Sequence, residues 1–345
     1  MTLQAAFQSC IGEGIEYLSQ LQAGGDPLRR SDIERDDGNR HPNTLELIAA
    51  LAARRIQPER AMSWLAATRV LDGSSVWLPA DICVRRPLNE RDFVPPYRLS
   101  VGSAAGISRD AAALHGLLEL IERDATSLWW RGGLPPRSIS PHHAASVAAE
   151  KLLKPLRHGV ARPRRTWLLD ITTDIGVPCV VAASCRPDGA GFAFGLAARP
   201  LLEAAACSAI VEMCQLELAD AVVAAKRNER GDDALNAQDR IHLQRAGIHV
   251  DRCKLLHPID GQADYLSINA TEESVAFRLI VERLEQIGVE TFCIDLTRQH
   301  FAVPVMRVIT PGLQHEPSEI VTARLQNAIG RTGGGASYTG GIALI

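Results

Sequence analysis

Apolar positions recur at helical spacing in two long stretches of this chain. In the first, which ends at Trp130, Leu114, Leu117, Leu118, Ile121 and Leu128 form one stripe near the 3.6-residue period. A small-residue turn (Gly102, Ala104, Ala105, Gly106) leads into it, with Ser108 placed to cap the helix and Asp110 in its first turn. The second long helix is expected over Pro200–Arg227, after a Gly-rich strand at Gly189–Leu196. Shorter helices are read over residues 1–24, Pro42–Ala53, Gln57–Ala67 and Pro141–Leu156, the last capped by Ser140. Trp77–Val84 alternates as a strand, Pro87–Pro96 reads as a linker, and residues 229–239 as loop. Lys254–Leu256 and Tyr265–Ile268 are further strand candidates.

A long-range repeat lies within this pattern. Leu168-Leu-Asp170-Ile-Thr172 leads to Val177-Pro178 and the strand Cys179–Ala183, and Cys293-Ile-Asp295-Leu-Thr297 leads to Val303-Pro304 and the strand Val305–Ile309. Each copy follows a helix, at roughly 142–157 and 272–287. Asp with Thr two residues on is turn chemistry, and Pro suits the first residue of a strand, so Asp170 and Asp295 read as structural. The repeat predicts an α/β (α+β) chain of two similar halves.

Glu119, Glu122 and Arg123 are three and four residues apart, so they share one face of the first long helix, and that face borders the apolar stripe. Carboxylates about 5–6 Å apart at Cβ repel unless a cation bridges them. A solvated Glu–Arg pair is the plain reading; the Gly-rich entry, suited to a phosphate at a helix start, favours a site. On the second long helix Glu212 and Gln215 share a face, and Glu212 is flanked by Ile210, Val211 and Met213, so its charge calls for a partner. Glu203, near that helix start, reads equally as surface or ligand. Arg307, mid-strand among apolar neighbours, reads either as a phosphate-holding group or as a paired structural cation.

The run His115-Gly-Leu-Leu-Glu119-Leu-Ile-Glu122-Arg123-Asp124, after a small-residue turn and before paired tryptophans, resembles the signature helix of the YcaO family. The likeness extends from about Trp77 to about Leu313, and Glu212-x-x-Gln215 resembles the second signature. Val101 stands where the family usually shows Asn, and His115 where many members carry Ser. The resemblance implies a YcaO-like fold with the nucleotide site between its two halves. It implies ATP and Mg2+ as cofactors, with metal held by Glu119, Glu122 and Glu212 and nucleotide contacts from Arg123, Glu203 and Gln215. It further implies catalytic charge neutralisation by Arg123 and Arg307. The activity implied is phosphorylation of a peptide-bond oxygen, leading to a backbone thioamide when sulfide attacks, an azoline when a neighbouring side chain does, and an amidine when an amine does.

The division expected is an N-terminal helical region (1–70), a YcaO-like catalytic domain (71–313) and a C-terminal helix with a Gly-rich tail (314–345). The tail closes on Gly340-Gly-Ile-Ala-Leu-Ile345 where cyclodehydratase members commonly end Pro-rich, which leans toward the thioamide branch. Its last four residues are expected to pack against the groove between the halves. The length leaves no room for a fused peptide-recognition domain, so the resemblance implies a partner protein, TfuA-like in the thioamide branch, beside the peptide or protein substrate; a homodimer is left open.

With 46% hydrophobic and 22% charged residues the composition is that of a soluble globule. A net charge of −3 gives no reason to expect nucleic acid or an anionic membrane. Eight cysteines without a C-x-x-C pair read as reduced thiols. With no signal sequence or membrane-length apolar run, the expected location is cytoplasmic. No P-loop motif and no zinc-type ligand spacing occurs. Two other classes remain open: a catalytically silent adaptor that binds a precursor peptide or partner enzyme, and an ATP-dependent acid–amine ligase. Mg-dependent ATP affinity separates the adaptor from the enzymes.

Overall fold

The computed structural model describes residues 3–31, 41–158, 163–268 and 272–345. In chain order its elements are α1 (Leu3–Ser19), β1 (Leu28–Ser31), α2 (Pro42–Ala52), β2 (Met62–Arg69), β3 (Ser75–Pro79), α3 (Ala80–Cys83), β4 (Ser103–Ala105) and α4 (Arg109–Trp130). There follow β5 (Arg137–Ser138), α5 (Ala144–Leu156), β6 (Arg165–Asp170), β7 (Cys179–Cys185), β8 (Ala193–Ala198), α6 (Leu202–Arg230) and α7 (Ala237–Ala246). The last are α8 (Glu273–Gln286), β9 (Phe292–Asp295), β10 (Val305–Ile309), α9 (Ala323–Thr332) and α10 (Ala336–Thr339). Contacts gather them into two compact units: Met1–Leu120 with Ile268–Thr322, and Ile121–Ser267 with Ala323–Ile345. These units interleave along the chain, whereas the expected segments are consecutive; one division follows contact density, the other motif coverage.

The first unit holds an antiparallel sheet in the order β1-β2-β9-β10-β4, with β3 also paired to β2. Its core joins Trp64, Leu65, Leu78, Phe93, Phe292 and Val305. β2 corrects the helix expected over Gln57–Ala67. Met62 to Leu65 are all buried, and a short unbroken apolar run fits a buried strand as well as a helix; β1 and β3 pairing to it decide the matter. The strand expected over Trp77–Val84 stops at Pro79, where α3 begins.

The second unit holds the antiparallel sheet β5-β6-β7-β8. α5 and α6 cover it through small residues, with Ala145, Ala149, Ala205 and Ala209 against Val180, Ala182 and Ala197. α5 is capped by His143, whose Nδ1 accepts from the Ala145 N–H at 3.1 Å, while Ser140 lies one turn too early. Lys254–Leu256 is a 3-10 turn, Tyr265–Ile268 carries no strand, and α7 begins inside the stretch expected as loop. Before β6, Arg157 and Arg164 turn inward to Glu217.

The repeat forms as read. α5-β6-β7 and α8-β9-β10 share one plan, and the turn chemistry is the same in both. Asp170 accepts from the Thr172 N–H at 2.9 Å, and Thr172 Oγ1 accepts from the Cys179 N–H at 3.0 Å. Asp295 accepts from the Thr297 N–H at 2.9 Å, and Thr297 Oγ1 from the Val305 N–H at 3.1 Å. Each unit then adds a third antiparallel strand that feeds a long helix: β8 into α6, and β4 into α4. In the first unit that strand and helix precede the rest in sequence.

Candidate functional site

β8 ends its sheet, so one row of its backbone amides faces no strand. Two of these amides are taken by carboxylates from different helices. The Leu196 N–H donates to Glu212 of α6 at 2.9 Å, and the Ala198 N–H donates to Glu122 of α4 at 3.2 Å. Amides two residues apart on a strand lie about 6.5–7 Å apart, so the strand edge sets the two glutamates side by side. Gly195 makes the arrangement possible. A Cβ there would stand 2.1 Å from the Ala209 carbonyl oxygen and 2.3 Å from the Met213 nitrogen, so only glycine lets α6 lie this close to β8.

Glu212 remains open to solvent on one side, yet protein crowds it closely enough to raise its carboxyl to about 7. Burial is the main cause and the Glu122 charge comes next; the Leu196 N–H, Arg123 and Arg199 pull the other way. Arg123 lies 3.5 Å from Glu122 Oε1. Among the described residues no three His, Cys, Asp or Glu side chains converge as a ready metal cage. A crowded carboxylate pair nevertheless fits Mg2+, a hard ion usually held by one or two carboxylates together with phosphate oxygens.

In the first unit Glu119 meets the same kind of partner, the Gly102 N–H, at 3.0 Å. Gly102 has φ +86°, and a Cβ on Gly116 would stand 2.7 Å from the Gly102 carbonyl oxygen, so two glycines bring α4 onto this loop. Arg307 is fully buried beneath it. Its Nε donates to Ile82 O at 3.1 Å, and Nη1 to Val101 O at 2.8 Å, to Ser103 Oγ at 3.1 Å and to Leu99 O. Arg307 therefore braces the turn that carries Gly102, and Nη2 is left without a partner among the described residues.

The other expected residues are placed apart. Glu203 is exposed in the first turn of α6, about 13–14 Å along the axis from Glu212 at 1.5 Å per residue. Gln215 is exposed one turn beyond Glu212. Three participants escaped the sequence reading. Asp124, fully buried beside Arg123 in the chain, takes Arg324 of α9 in a forked contact at 2.8–3.1 Å, and Arg324 goes on to Asp174 at 2.7 Å. Burial pulls Arg324 down, but the two aspartates more than offset it and hold it charged. Glu16 of α1 comes within electrostatic reach of Glu119. None of these lies near its partner in sequence, so no local motif could signal them.

A relative from Rhizobium leguminosarum bv. trifolii, an uncharacterized protein in the tfuA 3' region, is 29% identical over 272 residues, covering 74% of this chain and 61% of the relative. Among solved structures, a heterocyclase in complex with substrate and cofactor matches with a TM-score of 0.73 at 24% identity, over 94% of this chain and 45% of its own. YcaO from Methanopyrus kandleri, bound with AMPPCP and Mg2+, matches with a TM-score of 0.60 at 22% identity, over 90% of this chain and 76% of its own. At these identities the structural likeness speaks to the fold. The chain spans under two thirds of the relative and under half of the heterocyclase. The model of a family of cyclodehydratases that bind ATP and Mg2+ matches residues 1–314, which is most of this sequence, and the chain belongs to that family, YcaO.

Proposed function

We propose that the protein activates a peptide-bond oxygen by phosphorylation, so that sulfide replaces that oxygen and a backbone thioamide results. The observation that carries the reading is the Glu122–Glu212 pair on the free edge of β8. Mg–ATP, when bound, supplies the phosphoryl group with which the amide oxygen departs as phosphate. Glu122 and Glu212 would hold the metal, each fixed through one oxygen by a strand amide, with Glu119 fixed likewise by Gly102. Arg123, beside Glu122, would grip phosphate oxygens and offset the charge that grows on them. Arg307 would act by bracing the Gly102 turn, and Gln215 and Glu203 would serve the outer part of the nucleotide. Such chemistry needs positioning and charge neutralisation more than a protein nucleophile, and these residues offer both.

The relative in the tfuA 3' region points to a TfuA-like partner, which the family resemblance links to the thioamide branch; a neighbouring Cys, Ser or Thr of the substrate would give an azoline by the same route. The test supplies Mg–ATP, sulfide and a precursor peptide encoded beside this gene, carrying a heavy oxygen isotope in its backbone carbonyls, with the TfuA-like partner present. The expected result is the isotope in released phosphate and sulfur in the peptide. Loss of water without sulfur gain would assign cyclodehydration. Unlabelled phosphate would remove amide activation, and absence of any Mg-dependent ATP binding would favour the adaptor.

A further inference from the structure

The sheet of the second unit has two ends, and the carboxylate pair occupies only the β8 end. At the other end β5 is two residues long and pairs only with Leu169 and Asp170 of β6. Pro141 lies three residues on, and the chain leaves the sheet for α5. Leu169 and Asp170, beside β5, are buried, whereas Thr166, Trp167 and Leu168 are half-buried and Arg165 is exposed. The Ile171 N–H donates to Cys179 O of β7, so by strand alternation the amides of Trp167 and Leu169 also face β7. Those of Thr166 and Leu168 face the other way, where no described strand runs beside Arg165–Leu168.

The gap left by β5 is a cavity of about 620 Å³, with this edge as its floor. Thr166 and Leu168 turn their side chains to the α5 side, where Ala149, Leu153 and Ile210 form one wall; Thr166 Oγ1 accepts from Arg157 Nη1 at 2.6 Å. Trp167 points to the opposite side. Its Nε1 donates to Leu256 O at 3.0 Å, and with Val250 and Leu256 it makes the second wall. A strand takes about 3.3 Å per residue, 4.8 Å to its neighbour and 10 Å through the sheet, so four residues fill roughly 630 Å³.

We propose that this cavity docks an extended, apolar segment of the peptide substrate, which adds to β6 as a strand where β5 stops. Unpaired strand amides are met in full only by another extended backbone, whose carbonyls repeat at the same period. Successive side chains of such a segment point to the two walls in turn, and both walls are apolar. The walls leave room for one strand, which suits a single extended chain better than the sheet of a second folded molecule. β8, which carries the glutamates, is three strand spacings, about 14 Å, from a strand added at β6. The docked segment is therefore a recognition element, and the amide that reacts lies elsewhere in the same peptide.

The docking rests on the reading that the substrate is a peptide, and the experiment separates the two. The probe is a fluorescein-labelled precursor peptide encoded beside this gene, titrated by anisotropy without ATP or sulfide. Backbone N-methyl groups are placed along it one residue at a time. Affinity is expected to fall about tenfold at alternate residues within a window of about four, because only every second N–H faces β6. Thr166→Pro removes an outward donor at a position where an edge strand admits proline, and should weaken binding about tenfold. Thr166→Val keeps that amide and should bind within about twofold of wild type. Ser146→Trp, which fills the cavity from α5, should weaken binding as Thr166→Pro does, with Mg–AMPPCP affinity unchanged. A wild type that binds no peptide, a methyl scan without alternation, or wild-type affinity in both Thr166→Pro and Ser146→Trp overturns the docking. If Thr166→Pro unfolds, the methyl scan and Ser146→Trp decide. Self-association that Thr166→Pro abolishes while peptide affinity holds would give the edge to a second copy and overturn the proposal. Alternating loss together with unlabelled phosphate in the isotope experiment would remove amide activation and leave the docking standing.

Discussion

Glu122 and Glu212 come from different helices, yet they accept hydrogen bonds from amides two residues apart on the same strand edge. The strand, more than either helix, sets their spacing. Crowding two carboxylates this way has a consequence for pH. In the fold the Glu212 carboxyl lies at about 7, against an ordinary 4.5, through burial first and Glu122 second. Between those values the folded protein holds more protons than the unfolded chain, so ligand-free stability falls as pH rises through that window and levels off above it. Glu16 adds a slope of the same sign. Scanning calorimetry from about pH 5 to 8 should show the fall, and Glu212→Gln should make it shallower. Mg–AMPPCP affinity should run the other way, rising toward pH 7, because the metal needs the ionised carboxylate. A variant whose stability keeps the full wild-type slope would mean that Glu212 titrates as an ordinary glutamate.

Gly195→Ala tests the helix–strand contact. The new methyl would meet backbone atoms at 2.1 and 2.3 Å, which cannot turn aside as a side chain would. α6 must lift from β8, at a cost of about 1–3 kcal/mol or more. Because Glu212 rides on α6, Mg–AMPPCP binding should be lost along with the stability. Urea unfolding and calorimetry read the two effects, and near-normal values for both would show that the helix can slide without disturbing the site.

The parts of this molecule that the sequence made legible are those with a local signal. α4 and α6 announce themselves by period, the Asp-x-Thr turns by chemistry, and Glu119, Glu122 and Glu212 by their position at the margin of an apolar stripe. β2 has no such signal, because Met62-Ser-Trp-Leu-Ala-Ala is mostly apolar without a period, and only its neighbours β1 and β3 decide between strand and helix. Ser140 lost the cap of α5 to His143, whose ring nitrogen does the work of an oxygen. The edge amides of β8 have no side-chain signature at all. Knowing that Leu196 and Ala198 hold glutamates requires knowing that β8 ends its sheet.

Arg324 is the clearest case of a long-range partner, and its removal should be costly. Asp124 is fully buried, and three of its close contacts come from that one guanidinium. Arg324→Met would leave a buried carboxylate without its cation, a change that costs about 3–5 kcal/mol when one partner of a buried pair is lost. Arg324→Lys should recover only part, since a point charge cannot reproduce the fork that spans Asp124 and Asp174. Asp124→Asn paired with Arg324→Met should lose less than either change would suggest if summed. Chemical denaturation of the four proteins checks this, and additive losses would mean the pair is not coupled.

The carboxyl terminus docks within the second unit, on Trp130 and Arg245, and not in the groove that its apolar end suggests. Trp130 Nε1 donates to Ile342 O at 2.7 Å, Arg245 Nε donates to Ala343 O at 3.0 Å, and Leu344 is buried. Gly335 sets the approach, since a Cβ there would fall 1.8 Å from the Trp130 carbonyl oxygen. Burying a leucine contributes about 1.5–3 kcal/mol, while ordering each residue of the tail opposes it by about 1–2 kcal/mol. The docked state is therefore held by a narrow margin. Leu344→Ala cannot cost more than undocking does, because a tail that loses its anchor simply leaves. That variant and a deletion of Ile342–Ile345 should thus lose similar stability, about 1–3 kcal/mol, with Trp130 fluorescence shifting to the red in both as its indole meets water. Glu122 lies about 12 Å up α4 from Trp130 at 1.5 Å per residue, so Mg–AMPPCP affinity should be unchanged while peptide turnover falls. A Leu344→Ala protein that loses clearly more stability than the truncated one would show that the tail stays docked around a cavity and is bound more firmly than this margin allows.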